Sequence, residues 1–295
     1  MKLNPFCMCC AMNKQEKNIR HFKDEEKKVT YMKEVCRRFS QAGENDCAPS
    51  ISVELSRYYS EFWNVPEKDY TEIKKEFNSL MMGLEDSLRA IICESPDPLE
   101  AALNYARIGN YIDFAAMEHV SKDKVLSMIR SEKKEPLDEA EYARFKEEMA
   151  NARSLVYLTD NCGEIVLDKL AIEVLKERYP DTKITVIVRG EPVVNDATME
   201  DARMCGLTDL VTVQGNGSNV GGTWLPGIDA ATRNLLDTAD VILAKGQGNF
   251  ETLHDCGLNV YYLFLCKCER FVELFHVPLF KGMFVNEHRI PDNWK

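Results

Sequence analysis

The chain has 295 residues, of which 45% are hydrophobic, so it can bury a sizeable core in one large domain or two. Its formal net charge of -11 at pH 7 disfavours binding to nucleic acid and to anionic membranes, since both are negatively charged. No apolar run has the length of a secretory signal or a membrane span. We therefore expect a cytoplasmic protein with no nucleic acid or membrane partner, and its oligomeric state stays open.

Three of the eleven cysteines lie together near the start of the chain, in Cys7-Met8-Cys9-Cys10. The spacing of Cys7 and Cys10 is compatible with half of a zinc or iron–sulfur site, but a complete site would need further ligands. The alternative is a pair of thiols that stays reduced, or forms a disulfide that ties down this segment. Cys7 and Cys10 are thus a possible accessory thiol site.

From about residue 14 to about residue 150, apolar residues recur at spacings of three and four, which predicts helices throughout. We assign residues 1–150 to a helical domain that contributes to a cleft. Gly109 and Asn110 interrupt a strongly apolar helical pattern in which both are poor helix formers. We expect Asn110 and Asp113 to face the cleft and contact the organic part of a substrate; alternatively, they form hydrogen bonds between domains.

From Ser154 onward, β-rich runs alternate with helical patterns, which predicts βαβ units and a mostly parallel sheet covered on both faces. We assign residues 151–295 to this second domain. The predicted strands are residues 155–159, 184–188, 210–213, 241–244, 260–265 and 283–285.

Polar residues and glycines follow each of these strands, where open parallel sheets bind their ligands. Asp160, Asn161 and Asp196 offer the hard oxygen ligands that Mg or Mn accepts. Glycine at the start of a helix after a buried strand is typical of sites that bind a phosphate anion. Lys245 and Lys267 would balance the charge of such a phosphoryl group. The candidate contacts through backbone or side-chain amides are Gly163, Asn195, Gly246 and Asn249. The alternative for Asp160 and Asp196 is that each only caps a helix.

Asp160, Glu164 and Lys245 are the candidate catalytic residues. A bound metal would activate water while lysines stabilise phosphoryl charge, or Asp160 would attack phosphorus directly; the sequence leaves both routes open. Glu164 is either a base or a residue that complements the positive end of a helix.

The order and spacing of these motifs resemble the damage-control phosphatases, a family long catalogued only as a domain of unknown function. The motifs that carry the resemblance are Gly109-Asn110-Tyr111-Ile112-Asp113, Asp160-Asn161-Cys162-Gly163-Glu164, Pro192-Val193-Val194-Asn195-Asp196-Ala197-Thr198, Lys245-Gly246-Gln247-Gly248-Asn249 and Lys267-Cys268. The pair Cys7 and Cys10 resembles the mark of the mainly prokaryotic branch.

The resemblance implies a helical N-terminal domain on a Rossmann-like, three-layer α/β/α core, and hydrolysis of small phosphate esters with a divalent metal. The family's metal ligands correspond to Asp160, Asn161 and Asp196, and its phosphate contacts to Lys245, Asn249 and Lys267. The implied cofactor is Mn, Co, Ni or Mg, and the implied partner is a small phosphorylated metabolite, either a sugar phosphate or a damaged metabolite.

Two other classes remain as alternatives. A nucleotide- or S-adenosylmethionine-binding Rossmann enzyme would show a glycine-rich turn after the first strand and an acid after the second. Here the first turn has only Gly163, and Arg189 follows the second strand. A sensor that binds a phosphorylated metabolite without catalysis would need no set of three oxygen ligands.

Overall fold

The computed structural model describes residues 1–113, 122–131 and 135–290. The chain divides into two compact units, Met1–Lys68 and Asp69–Lys295. Within the described residues, no helix combines the length and the apolar character needed to cross a lipid bilayer.

The first unit consists of helices α1 (Pro5–Ile19), α2 (Glu25–Gln41) and α3 (Ala48–Trp63). Asn4 and Asp24 begin α1 and α2 by accepting hydrogen bonds from backbone amides of the first turn. The helices bury one apolar face each, at the helical spacing of three and four that the sequence shows, and so form a small separate core.

The second unit contains the six strands and the remaining helices. The strands are β1 (Ser154–Leu158), β2 (Lys183–Val188), β3 (Thr212–Gly215), β4 (Val241–Lys245), β5 (Val260–Leu265) and β6 (Gly282–Asn286). The helices are α4 (Thr71–Met82), α5 (Glu85–Cys93), α6 (Pro98–Gly109), α7 (Lys122–Arg130), α8 (Glu139–Asn151), α9 (Glu164–Arg178), α10 (Met199–Met204), α11 (Leu207–Leu210), α12 (Ala230–Thr238), α13 (Gly246–Leu253) and α14 (Glu269–Phe275), followed by a 3-10 turn (Glu287–Arg289).

The sheet has the strand order β3-β2-β1-β4-β5-β6, with β1 to β5 parallel and β6 antiparallel to β5. The predicted mostly parallel α/β architecture is therefore confirmed. The strand order reverses between β1 and β4, and such a switch point opens a crevice beyond the carboxyl ends of the strands. The third strand begins later than predicted, because Leu207–Leu210 forms the short helix α11 after Gly206, which has a left-handed φ of 72°.

Helices α4 to α8 belong to the same compact unit as the sheet, whereas the sequence analysis grouped them with the first helices. The change from helices to alternating strands and helices does occur between α8 and β1. The reason for the different grouping is the packing of α6 on α9, whose buried faces share one core with the sheet. Gly109 permits this close approach, since a Cβ there would lie 2.8 Å from Cδ1 of Leu167.

Gly190 provides a test of backbone packing at the carboxyl end of β2. A Cβ at this position would lie 2.4 Å from the backbone nitrogen of Gly217, and backbone cannot move aside as a flexible side chain can. We expect Gly190→Ala to lower the free energy of unfolding by roughly 2–4 kcal/mol. Gly83→Ala is the control, because its Cβ would lie at an ordinary 3.4 Å from the Leu80 oxygen. Equal urea midpoints for the two variants would contradict this packing.

Candidate active site

The predicted metal ligands meet at the switch point of the sheet. Asp160 and Asn161 follow β1, and Asp196 lies in the segment after β2. The backbones of Asn161 and Asp196 form an isolated antiparallel bridge, and the amide of Ala197 donates to the carbonyl of Asp160 at 2.8 Å. The structure therefore brings Asp160, Asn161 and Asp196 together, as the sequence analysis expected of their positions.

Asp160 is held by amide side chains on one oxygen. Its Oδ2 accepts hydrogen bonds from Nδ2 of Asn161 at 2.7 Å and from Nδ2 of Asn110 at 2.8 Å. Asn110 follows α6 directly, and its Oδ1 accepts a hydrogen bond from the Leu265 amide at 3.1 Å, so the structure supports the alternative for Asn110, which is hydrogen bonding between the helical segment and the sheet. On the other side Gly246, with a φ of 81°, lies so close that a Cβ would be 1.9 Å from Oδ2 of Asp160.

Asp196 is paired with a buried arginine that the sequence analysis did not include among the site residues. Nε of Arg189 donates to Oδ2 of Asp196 at 2.6 Å, and Nη2 of Arg189 lies 3.6 Å from Oδ1 of Asp160. Lys74 on α4 holds the same segment, since its Nζ donates to the backbone oxygen of Asp196 at 2.8 Å and pairs with Asp201 at 2.7 Å.

Beneath these residues, Lys245 forms a fully buried ion-pair network. Its Nζ donates to Oε1 of Glu164 and Oδ1 of Asp168, each at 2.7 Å, and to the backbone oxygen of Ala106 at 2.9 Å. The hydroxyl of Tyr157 also donates to Oδ1 of Asp168, at 2.7 Å. All three ammonium protons are therefore engaged, and Lys245 does not have the phosphate-contacting position predicted for it.

Glu164 links this network to the predicted ligands. Its carboxylate accepts hydrogen bonds from the side chains of Lys245, Asn110 and Asn161. Glu164 is fully buried at the start of α9. The carboxylate thus orients the two amides that hold Asp160.

The carboxylates are crowded in a site of low polarity. Burial raises the pKa of Asp160 well above its ordinary range, and the charges of Glu164 and Asp196 raise it further. Burial also raises the pKa of Asp196, although the adjacent Arg189 opposes this. A divalent cation would relieve the repulsion between these carboxylates, and Oδ1 of Asn161 accepts no hydrogen bond from the described residues. The donor set of hard oxygens therefore fits such a cation.

Lys267, which follows β5, provides a second buried cation near Asp160. Its Nζ donates to Oδ2 of Asp113 at 2.6 Å. Burial lowers the pKa of Lys267, but Asp113 and Asp160 outweigh this effect, so the pKa lies above its ordinary value. Asp113 and Lys267 thus form a buried pair close to the candidate ligands, and their assignment to substrate and phosphate contacts stays a prediction.

Three other predicted phosphate contacts have donors that are already engaged by the protein. The amide of Gly163 donates to Oδ1 of Asn78 at 2.6 Å, and Nδ2 of Asn195 donates to the backbone oxygen of Ile112 at 3.0 Å. Nδ2 of Asn249 donates to the backbone oxygens of Thr159 and Lys245. The structure therefore assigns these groups to holding the loops at the strand ends, and it does not support the predicted contacts.

Another group of potential metal ligands, His254, Asp255 and Glu287, lies at the opposite end of α13 from Gly246. The carboxylate of Glu287 accepts hydrogen bonds from the Tyr262 hydroxyl and the Asp255 amide, both at 2.8 Å, and lies 3.2 Å from Nδ1 of His254. Because these hydrogen bonds account for Glu287, we keep the candidate metal site at Asp160, Asn161 and Asp196.

The cysteine pair lies in the first unit. Cys7 is in the first turn of α1, where its amide donates to Oδ1 of Asn4 at 3.0 Å, while Cys9 and Cys10 are exposed thiols. A role for Cys7 and Cys10 as an accessory thiol site stays a prediction.

A doubly wound sheet with a buried carboxylate and amide site at its switch point defines a Rossmann-like protein with a candidate cation site. Residues 3–281 match the family model of the damage-control phosphatase ARMT1-like domain. The chain therefore belongs to this family of phosphatases, and the resemblance drawn from the motifs is confirmed.

Individual relatives agree with this assignment. A damage-control phosphatase of Archaeoglobus fulgidus is 29% identical over 275 residues, which cover 91% of this chain and 93% of the relative. The damage-control phosphatase PH1575 of Pyrococcus horikoshii is 33% identical over 63% of each chain. The crystal structure of the latter, described as a DUF89 family protein, superposes with a TM-score of 0.75 at 25% identity, covering 97% of this chain and 99% of that one.

The contact of Gly246 with Asp160 can be tested by adding one methyl group. We expect Gly246→Ala to displace the Asp160 carboxylate and lower phosphatase activity by about 100-fold or more, as misplacement by about 1 Å does elsewhere. Gly248→Ala is the matched control on the same helix, because its Cβ would meet Gly222 at an ordinary 3.5 Å. Equal activity of the two variants, with both folded by circular dichroism, would contradict the geometry.

The network around Lys245 predicts a loss of stability. Lys245→Met leaves Glu164 and Asp168 without their buried cation, so we expect the free energy of unfolding to fall by about 3–5 kcal/mol. Lys281→Met, which removes an exposed pair with Glu135, should cost no more than about 1 kcal/mol. A direct phosphate contact would instead predict a raised KM with unchanged stability in the Lys245 variant.

The stability loss expected for Lys245→Met depends on pH. Burial raises the pKa of Asp168 to about 6 despite the opposing charge of Lys245, and removal of the ammonium would raise it further. The folded variant would then bind a proton that the unfolded chain binds only near pH 4 or below. We therefore expect the stability deficit relative to wild type to be largest at about pH 8 and to shrink toward pH 5 in urea titrations.

Proposed function

We propose that the protein is a divalent-metal-dependent phosphatase that hydrolyses small phosphate esters, such as sugar phosphates or damaged phosphorylated metabolites, in the cytoplasm. The observation that carries the proposal is the meeting of Asp160, Asn161 and Asp196 in a buried site near Lys267. Membership in the damage-control phosphatase family supports the reaction class. The acidic chain favours small metabolites over nucleic acid or membrane surfaces as partners.

In this proposal Asp160, Asn161 and Asp196 would hold the metal, which is Mn, Co, Ni or Mg. A metal bound there supplies Lewis-acid activation of the phosphoryl group and of a water molecule. The chain's own part is to fix the three oxygen donors through Asn110, Glu164 and the backbone bridge after β2. These contacts preorganise the donors, so that no reorganisation is needed when substrate arrives.

Lys267 is the residue we assign to the phosphoryl charge. Its Nζ is buried, remains protonated and is oriented by Asp113. A protonated amine in a site of low polarity stabilises negative charge on phosphoryl oxygens far better than it would in water. Asp113 accepts one hydrogen bond from the ammonium and keeps Lys267 in place, while a second ammonium proton would be donated to a phosphoryl oxygen.

Water is the attacking group that the geometry favours over Asp160. Two amide side chains donate to Oδ2 of Asp160, and these hydrogen bonds hold the carboxylate in place and reduce its nucleophilicity. Lys245 donates to Oε1 of Glu164, and the amides of Asn110 and Asn161 donate to Oε2, which favours a positioning role for Glu164 over that of a base. Borohydride treatment of rapidly quenched enzyme, followed by mass spectrometry of the peptide containing Asp160, would separate the routes, because only direct attack forms an aspartyl-phosphate that borohydride reduces to homoserine.

The proposal is tested with protein stripped of metal by chelation and a panel of sugar phosphates and phosphorylated cofactors. We expect phosphate release only after Mn, Co, Ni or Mg is added back. Asp160→Asn and Asp196→Asn should lose about 100-fold or more of this activity, since each removes a charged ligand. Asp181→Asn is the control, because Asp181 is exposed and precedes β2 at the far end of the sheet. Tight binding of an ester without phosphate release under any metal would instead identify a sensor.

A further inference from the structure

Arg189 is the buried charge at the site whose role the function above does not explain. It follows β2 directly, is only 1% exposed and lies between two of the candidate metal ligands. Its Nε donates to Oδ2 of Asp196 at 2.6 Å, while its Nη2 faces Oδ1 of Asp160 at 3.6 Å. A single planar side chain therefore faces the carboxylates that follow two different strands.

The guanidinium of Arg189 makes fewer hydrogen bonds than its nitrogen atoms could donate. Its Nη1 and Nη2 are buried and have no hydrogen-bond partner among the described residues. Buried donors without acceptors are unfavourable, and charged ones especially so. If Oδ1 of Asp160 moved about 0.7 Å closer to Nη2, it would accept a charge-assisted hydrogen bond of ordinary length.

The backbone around Arg189 keeps this geometry rigid. The amide of Arg189 donates to the carbonyl of Ala197 at 2.9 Å, and Arg189 pairs with Thr198 in an isolated parallel bridge. The segment that carries Asp196 is thus tied to the residue whose side chain holds its carboxylate. The amide of Ala197 donates in turn to the carbonyl of Asp160, which places both aspartates on one hydrogen-bonded backbone frame.

We propose that Arg189 is a positioning residue that joins Asp160 and Asp196 through its guanidinium fork and thereby sets the affinity of the site for its divalent metal. The inference rests on the function proposed above. The planar fork is essential to this role, because lysine carries the same charge at a single point and cannot bridge two carboxylates in a fixed orientation. Arg189 acts through the aspartates, and its guanidinium does not contact substrate.

The test is manganese binding by the full-length chain, followed by the loss of the electron paramagnetic resonance signal of free Mn²⁺. Arg189→Lys keeps the charge and removes the fork, so we expect its Kd for Mn²⁺ to rise about 10- to 100-fold, as when residues that support metal ligands are replaced. At saturating Mn²⁺, kcat should recover, and the KM for the ester and the inhibition constant of inorganic phosphate should stay within about twofold of wild type. A purely structural defect would not be rescued by excess metal.

Arg89→Lys is the matched control. Arg89 lies on α5, outside the candidate site, and its guanidinium also joins carboxylates of two elements, those of Glu85 and Asp86 on α5 and of Glu173 on α9. We expect Arg89→Lys to bind Mn²⁺ with wild-type affinity. If Arg189→Lys does not fold, Arg189→Gln replaces it, and weaker Mn²⁺ binding despite the loss of a like charge supports the proposal.

Several outcomes would overturn the proposal. One is wild-type Mn²⁺ affinity in Arg189→Lys, and another is unchanged or tighter binding in Arg189→Gln. A raised inhibition constant of inorganic phosphate with unchanged Mn²⁺ affinity would make Arg189 a phosphate contact instead. Failure of the proposed function is distinguishable, because the wild-type chain itself would then bind no divalent metal or release no phosphate.

Discussion

The ion pair of Lys245 with Glu164 and Asp168 is the interaction on which the rest of the site depends. It places a cation at the end of β4, against the first turn of α9 and the last turn of α6, where three apolar surfaces meet. Burying these charges is favourable only because each one is paired and hydrogen-bonded. Through Glu164 the pair fixes the amides of Asn110 and Asn161, and these amides fix Asp160.

Close backbone approach is the second constraint, and it explains where glycine is required. Gly246 begins α13 in a left-handed conformation, so its Cα can lie against the Asp160 carboxylate with no side chain between them. Two strands away, Gly190 lets the chain just after β2 contact the loop after β3, and this contact holds the backbone next to Arg189. The absence of a Cβ at Gly190 and Gly246 therefore shapes the site as much as its polar groups do.

The sequence predicts the strand ends and the meeting of Asp160, Asn161 and Asp196 beyond them. Asp160, Asn161 and Asp196 were predictable because polar residues directly after buried strands of a parallel sheet must meet at one edge. The partners of Lys245 were not predictable. In the sequence, a lysine at a strand end that faces substrate cannot be distinguished from one that pairs with a carboxylate on a covering helix. The four-residue spacing of Glu164 and Asp168 on α9 was the available signal, since it places both on one helix face. Arg189 was noted only as evidence against a nucleotide-binding turn, as sequence does not show which aspartate an arginine will reach.

The balance of buried charge at the site supports the proposal that the metal is divalent. Besides the paired Lys74 and Asp201, the part of the chain that the structure describes has five carboxylates and three cations buried at the switch point: Asp113, Asp160, Glu164, Asp168 and Asp196, with Arg189, Lys245 and Lys267. When all are ionised, two negative charges remain without a counterion among these residues. Buried charge is costly in a site of low polarity, and burial is the main reason that the pKa values of Asp160 and Asp196 are raised. In the proposed function, one divalent cation would bring this set to neutrality, and Lys267 would supply the local positive charge that a phosphoryl group needs.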